Sequence, residues 1–256
     1  WRCLAMPSTT DGNGRRYEVS QEGAVALDDA LAKELLPPLT LPRLRDAPSC
    51  GVGHCLALTV AGDVLSWATA RAGNRFGQLG QGAGAAGLYE PKRVLLPAGV
   101  LGAVVSAGEN HSAIADTTGV LWTFGCDRWL QLGQSTLWKD GAVWRRTPVR
   151  VDGDLAGRRV VDCACGRDHT LALTDGGRAL AWGRGEHGQL FGASRRPFTA
   201  APSITSILSQ GGATRVAAHN NCSCALSSTG RVACIGHCGA TEQAKCATIL
   251  GAVLAV

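Results

Sequence analysis

Charge is scarce in this chain: Asp, Glu, Lys and Arg together make 18% of its 256 residues, and the net charge is only +5. So mild a basic excess permits contact with nucleic acid or an acidic protein without requiring either. Long apolar runs are missing too. The longest candidate, Ala247 to Val256, falls well short of the roughly 18 residues that cross a bilayer, so a membrane span is excluded. No G-x-x-x-x-G-K-[ST] phosphate loop, G-x-S-x-G elbow or H-E-x-x-H helix occurs, which removes the standard signals for nucleotide, acyl-transfer and zinc-hydrolase chemistry. The sequence therefore offers no catalytic residue, no bound metal and no cofactor, and an enzyme with its own active site is not expected. The chain opens on Trp1 rather than Met, which reads as a processed or partial product.

Glycine and cysteine are abundant instead. Thirty-four glycines and 10 prolines favour short elements joined by tight turns over long helical bundles. Eleven cysteines, with pairs such as Cys163/Cys165 and Cys222/Cys224 spaced as strand residues, are read as thiols rather than as a disulfide framework. That reading predicts a reducing intracellular compartment, with mitochondrion, nucleus and cytoplasm all open.

A pattern recurs every 53 to 58 residues. Gly51-Val52-Gly53-His54, Gly108-Glu109-Asn110-His111 and Gly166-Arg167-Asp168-His169 are followed by a worn copy, His219-Asn220-Asn221-Cys222. Eight residues beyond the His position stand Gly62, Gly119, Gly177 and Gly230; thirteen beyond it stand Trp67, Phe124, Trp182 and Ile235. Each copy then runs into Gly77-Gln78-Leu79-Gly80, Leu130-Gln131-Leu132-Gly133 or Gly188-Gln189-Leu190, with Thr241-Glu242-Gln243 as the decayed fourth. Within a unit, Cys55–Thr59 and Val64–Trp67 read as two short strands about a turn whose Gly62 needs positive φ. Such small antiparallel sheets cannot bury both faces alone, so units of this length must pack on their neighbours, as propeller blades do.

The G-x-x-H-x-x-A-L-T-x-x-G-x-V-x-x-W-G…G-Q-L-G signature resembles the regulator of chromosome condensation repeat. The likeness covers about residues 45–256 and is strongest over 160–192, where Cys165-Gly166-Arg167-Asp168-His169-Thr170-Leu171-Ala172-Leu173-Thr174 stands. It implies an all-β fold, a propeller of seven blades in the family, here partial with about four: 45–102, 103–158, 159–214 and 215–256. It also implies, for the founding branch, guanine-nucleotide exchange on a small Ran-like GTPase through a protruding β-wedge, and this sequence shows no hairpin pattern for such a wedge.

Residues 1–44 lie outside the repeat. Leu27, Leu31 and Leu35, stopped by Pro37-Pro38, predict an amphipathic helix over 24–36, and Pro42-Arg43-Leu44 reads as the tail of a truncated preceding blade. Because His54, His111 and His169 share one repeat position, whatever each does is done three times, which fits an architectural hydrogen bond better than a catalytic base. The cluster His219, Cys222, Cys224, Cys234, His237, Cys238 and Cys246 lacks a C-x-x-C knuckle and is read as small buried thiols rather than a zinc site. The connection 134–159 is basic and carries Trp138, Lys139, Trp144, Arg145, Arg146 and Arg150, the residue types enriched at binding hot spots and phosphate contacts. The expected function is a non-catalytic interaction or scaffold module that contacts protein partners in a larger assembly through blade connections. The alternative is exchange on a small GTPase, and nucleic acid is a further candidate for the basic segment.

Overall fold

A computed structural model describes residues 17–19, 24–27, 39–40, 42–70, 72–83, 88–134, 143–190, 198–205 and 212–250. Strands β1 (Tyr17–Val19), β2 (Ala24–Leu27) and β3 (Leu39–Thr40) form a small antiparallel sheet. Four further antiparallel sheets follow in chain order. The first comprises β4 (Ser49–Cys50), β5 (His54–Leu58), β6 (Val64–Ala68) and β7 (Lys92–Arg93). The second comprises β8 (Gly102–Ala107), β9 (His111–Asp116), β10 (Leu121–Cys126) and β11 (Trp144–Arg150). The third comprises β12 (Val160–Cys165), β13 (His169–Thr174), β14 (Ala179–Arg184) and β15 (Phe198–Thr205). The fourth has three strands, β16 (Ala213–His219), β17 (Cys222–Ser227) and β18 (Val232–Gly236), and then helix α1 (Ala240–Leu250). Each sheet is a meander in which sequence neighbours pair, the arrangement of propeller blades, and the propeller is partial.

Two expectations for the N-terminal region are corrected. Ala24–Leu27 is a strand paired with β1 and β3, not the first turn of a helix; a leucine stripe does not distinguish the two where Val25, a β-branched residue, favours pairing. Leu31 and Leu35 lie outside the described residues. The segment at Leu44 belongs to the first blade rather than to a preceding one: Leu44 bridges Thr59 antiparallel, with Arg45 N–H donating to Leu58 O at 2.8 Å and Val60 N–H to Arg43 O at 3.0 Å.

The hairpin turns follow the glycine spacing. Gly62, Gly119, Gly177 and Gly230 have φ of +88°, +89°, +71° and +82°, a region that a Cβ makes costly. Alternation along the central strands then sends side chains to opposite neighbours. Leu56 and Leu58 pack with Ile114 and Phe124 of the second blade. Ala113 and Ala115 pack with Cys163, Ala172, Leu180 and Trp182 of the third. Leu171 and Leu173 pack with Val216 and Ala218 of the fourth. The cores thus lie between blades, and a fully buried Leu or Phe there contributes about 1.5–3 kcal/mol to holding adjacent blades together.

Candidate functional site

The repeated histidines build the joints between blades. His54, His111 and His169 are completely buried at the start of β5, β9 and β13. His54 Nε2 lies 2.9 Å from Ser112 Oγ, His111 Nε2 2.9 Å from Thr170 Oγ1, and His169 Nε2 2.7 Å from Ser223 Oγ. In each case the hydroxyl belongs to the next blade. It donates in turn to a backbone carbonyl of the His-bearing blade: Ser112 to Gln78 O, Thr170 to Gln131 O and Ser223 to Gln189 O, each at 2.8 Å. Since the hydroxyl proton is spent on the carbonyl, the hydroxyl oxygen accepts from His Nε2–H, which fixes the tautomer. Burial lowers the pKa of His54 and His169 to about 3 and that of His111 to about 4. All three are therefore neutral donors at physiological pH, unsuited to taking a proton in a reaction cycle.

The remaining signature residues serve the same joint. The imidazoles of His111 and His169 lie over Gly108 and Gly166, where an added Cβ would collide with the ring, and a Cβ on Gly51 would collide first with the Gly108 carbonyl oxygen; this is the physical content of G-x-x-H. The side-chain oxygens of Gln78, Gln131 and Gln189 accept from the N–H groups of Phe76, Trp129 and His187 at 3.0, 2.8 and 2.9 Å, holding the turn that presents the carbonyl. The glycine after Gln-Leu makes room for the aromatic of the next blade: a Cβ on Gly80 would meet Phe124, and one on Gly133 would meet Trp182. Trp182 Nε1–H also donates to Gln131 O at 2.9 Å. Trp67, 3% exposed, packs instead with Cys55, Ala57 and Leu65 on the other face of the first blade. Sequence reasoning missed the hydroxyl partners Ser112, Thr170 and Ser223. Their signal was present, since each directly follows the His or its substitute, and only the neighbour's carbonyl makes sense of it.

The pattern stops at both outer positions. Cys55 occupies the hydroxyl position of the first blade and is disulfide-bonded to Cys50. Cys222 occupies the His position of the fourth and is bonded to Cys238, while Cys224 is bonded to its cross-strand partner Cys234. The reading of Cys222, Cys224, Cys234 and Cys238 as thiols is thereby corrected: the pairing of β17 with β18 sets Cys224 opposite Cys234 and Cys222 opposite Gly236, two residues before Cys238, which spacing along the chain does not reveal. Cys163 and Cys165 are buried thiols, and burial pushes the Cys165 pKa up to about 12. Beyond the fourth blade, α1 packs on β16 and β17, with Cys246 and Leu250 against Cys222 and Cys224. Among the described residues, no helix is long and apolar enough to cross a membrane.

The basic segment has a different character. Trp144, Arg145, Arg146 and Arg150 lie on β11, the outer strand of the second blade; Trp138 and Lys139 fall outside the described residues. Trp144 is 39% exposed, Arg146 and Arg150 are exposed and Arg145 is half-buried. Arg145 Nη1 donates to Trp144 O at 3.1 Å, and Arg150 pairs with Asp152 at 2.9 Å. The backbone of Arg146 is anchored by Gly82 N–H, which donates to its carbonyl at 2.9 Å. The strand is fixed while its basic side chains remain at the surface.

Comparison with known proteins agrees with this geometry. The family described as "Regulator of chromosome condensation (RCC1) repeat" matches residues 118–173 and again 160–189. The chain is 34% identical over 198 residues to the X-linked retinitis pigmentosa GTPase regulator homolog of Caenorhabditis elegans, covering 73% of this chain and 13% of that protein. It is 29% identical over 249 residues to the Protein RCC2 homolog of Danio rerio, covering 87% and 48%. The chain thus spans less than half the length of these two relatives. The crystal structure of human WBSCR16 superposes with a TM-score of 0.67 at 22% identity, covering 87% of this chain and 56% of that one, which shows the shared fold. With its signature residues spent on blade joints and its sheets laid out as in that fold, the chain belongs to the regulator of chromosome condensation (RCC1) repeat family.

Proposed function

We propose that the chain is a non-catalytic interaction module that holds protein partners within a larger assembly, with β11 as a principal contact. One observation carries this reading. The recurring His and Gln side chains of the repeat are buried and neutral at the joints, whereas Trp144, Arg146 and Arg150 are displayed on an outer strand. Exposed arginine beside tryptophan is the composition of binding hot spots, and it suits an acidic protein surface better than a catalytic cleft. Nucleic acid would meet the same strand through its phosphates. The test is co-purification of the endogenous full-length protein against an Arg146→Glu/Arg150→Glu counterpart expressed at equal level. The reading requires the same partners at reduced occupancy in the substituted chain; unchanged partners would reject β11 as the contact.

A second reading, guanine-nucleotide exchange on a small Ran-like GTPase, is supported by the nematode relative's name as a GTPase regulator. Nucleotide release measured across a panel of small GTPases tests it, and release at background throughout would dispose of it.

A further inference from the structure

The fourth blade holds a concentration of sulfur that its joint does not use. Cys222 and Cys224 stand two residues apart on β17 and so project to one face. Cys234 is the cross-strand partner of Cys224, and the disulfide brings Cys238 to Cys222. The Sγ atoms of Cys222 and Cys224, which belong to different disulfides, are 3.7 Å apart, and the sulfurs of Cys222, Cys224 and Cys234 all lie within 4.8 Å of one another. A tetrahedral zinc with Zn–S bonds of about 2.3 Å sets its sulfurs about 3.8 Å apart. The backbone therefore already places two sulfurs of β17 at the edge length of such a tetrahedron, with a third, from β18, within 4.8 Å of both.

The surroundings fit the same use. Cys222 and Cys224 are fully buried, and Cys246 and Leu250 of α1 close over them. Positive charge stands beside this layer: His219, the cross-strand neighbour of Cys222, lies with its Nε2 3.1 Å from Lys245 Nζ, next in the chain to Cys246. A cluster of thiolates is stabilised by nearby cationic groups and by exclusion of water, which favours a soft divalent cation over protons.

We infer that Cys222, Cys224, Cys234 and Cys238 form a redox-gated zinc site, closed while both disulfides stand and filled when they are opened. A dithiol supplies the reducing equivalents. Each disulfide takes two electrons and two protons from one dithiol molecule, which becomes a disulfide itself, so both bonds together yield four thiols. Zinc then replaces the thiol protons, which leave to water. Because α1 packs directly on β16 and β17, the site couples the metal to the covering of the last blade.

The experiment uses the full chain in two states, air-oxidised and reduced with an excess dithiol then desalted without oxygen, each titrated with cobalt(II) and back-titrated with zinc. The reduced chain should bind one cobalt with the charge-transfer bands of tetrahedral thiolate coordination, and zinc should bleach them at one equivalent; the oxidised chain should show neither. Cys234→Ser, on the outer strand, should weaken zinc by well over the roughly tenfold that loss of a supporting contact costs, while Cys163→Ala, a thiol outside the cluster, should leave it unchanged. A reduced chain whose thiols all titrate but which gives no thiolate bands would overturn the site, as would equal binding by the oxidised chain. If Cys234→Ser fails to fold, the spectrum of the unsubstituted chain in its two states decides alone.

Discussion

Mild acid should loosen the blades, because the three joint histidines resist protonation only while buried. Their folded pKa values are about 3, 4 and 3 for His54, His111 and His169, against about 6.5 in the unfolded chain. Between these limits the unfolded state binds more protons, so stability falls as pH drops below about 6.5 and continues to fall until the folded values are reached. At pH 5 each histidine is about 1.5 pH units below its unfolded value, which costs about 2 kcal/mol, and the three together about 6 kcal/mol relative to pH 7.5. Asp162 and Asp168, whose pKa values burial raises, work in the opposite direction and trim the loss at the acid end. Urea unfolding followed by tryptophan fluorescence at several pH values measures the slope. His111→Gln, which removes one titrating group, should flatten the dependence by about a third whatever it does to stability at pH 7.5. A change below about 1 kcal/mol across the whole interval would refute the claim that these imidazoles are buried neutral donors.

Further expectations follow from the same joints. A double-mutant cycle of His169→Ala and Ser223→Ala should return a coupling of about 1 kcal/mol, and additivity would show that the 2.7 Å contact contributes nothing. Gly133→Ala and Gly157→Ala both place a Cβ at positive φ, +70° and +73°, but only the former meets the Trp182 indole. Thermal melts should show the second losing about 1–2 kcal/mol and the first clearly more. Alkylation at pH 8 followed by peptide mass mapping should leave Cys163 and Cys165 unmodified in the folded protein, since burial raises both thiols; rapid labelling would show that the second and third blades open readily.

What the sequence made legible was whatever repeats. Gly62 and its counterparts announce a turn, the short apolar runs Cys55–Thr59 and Val64–Trp67 announce strands, and three histidines in one frame announce an architectural role; these are local or periodic signals. The joint itself is not local. Ser112, Thr170 and Ser223 acquire meaning only beside a histidine more than 50 residues away, and the glycine of G-Q-L-G only beside the next blade's aromatic. The last blade misled for a related reason: its cysteines look like worn repeat positions along the chain, and only the pairing of β17 with β18 brings Cys224 opposite Cys234. At the N-terminus a helical leucine spacing covered residues that pair as β2, because a three- or four-residue apolar run is equally compatible with either period.

The central claim, that the repeat residues hold the blades while β11 holds partners, is tested most directly by native mass spectrometry of the endogenous protein purified gently in nucleotide-free buffer. The account predicts a complex of fixed stoichiometry that is depleted when Arg146 and Arg150 are both replaced by Glu. A stable chain that carries no partner, or an assembly indifferent to those replacements, would contradict it. A one-to-one complex with a small GTPase that dissociates on adding GTP would transfer the case to nucleotide exchange.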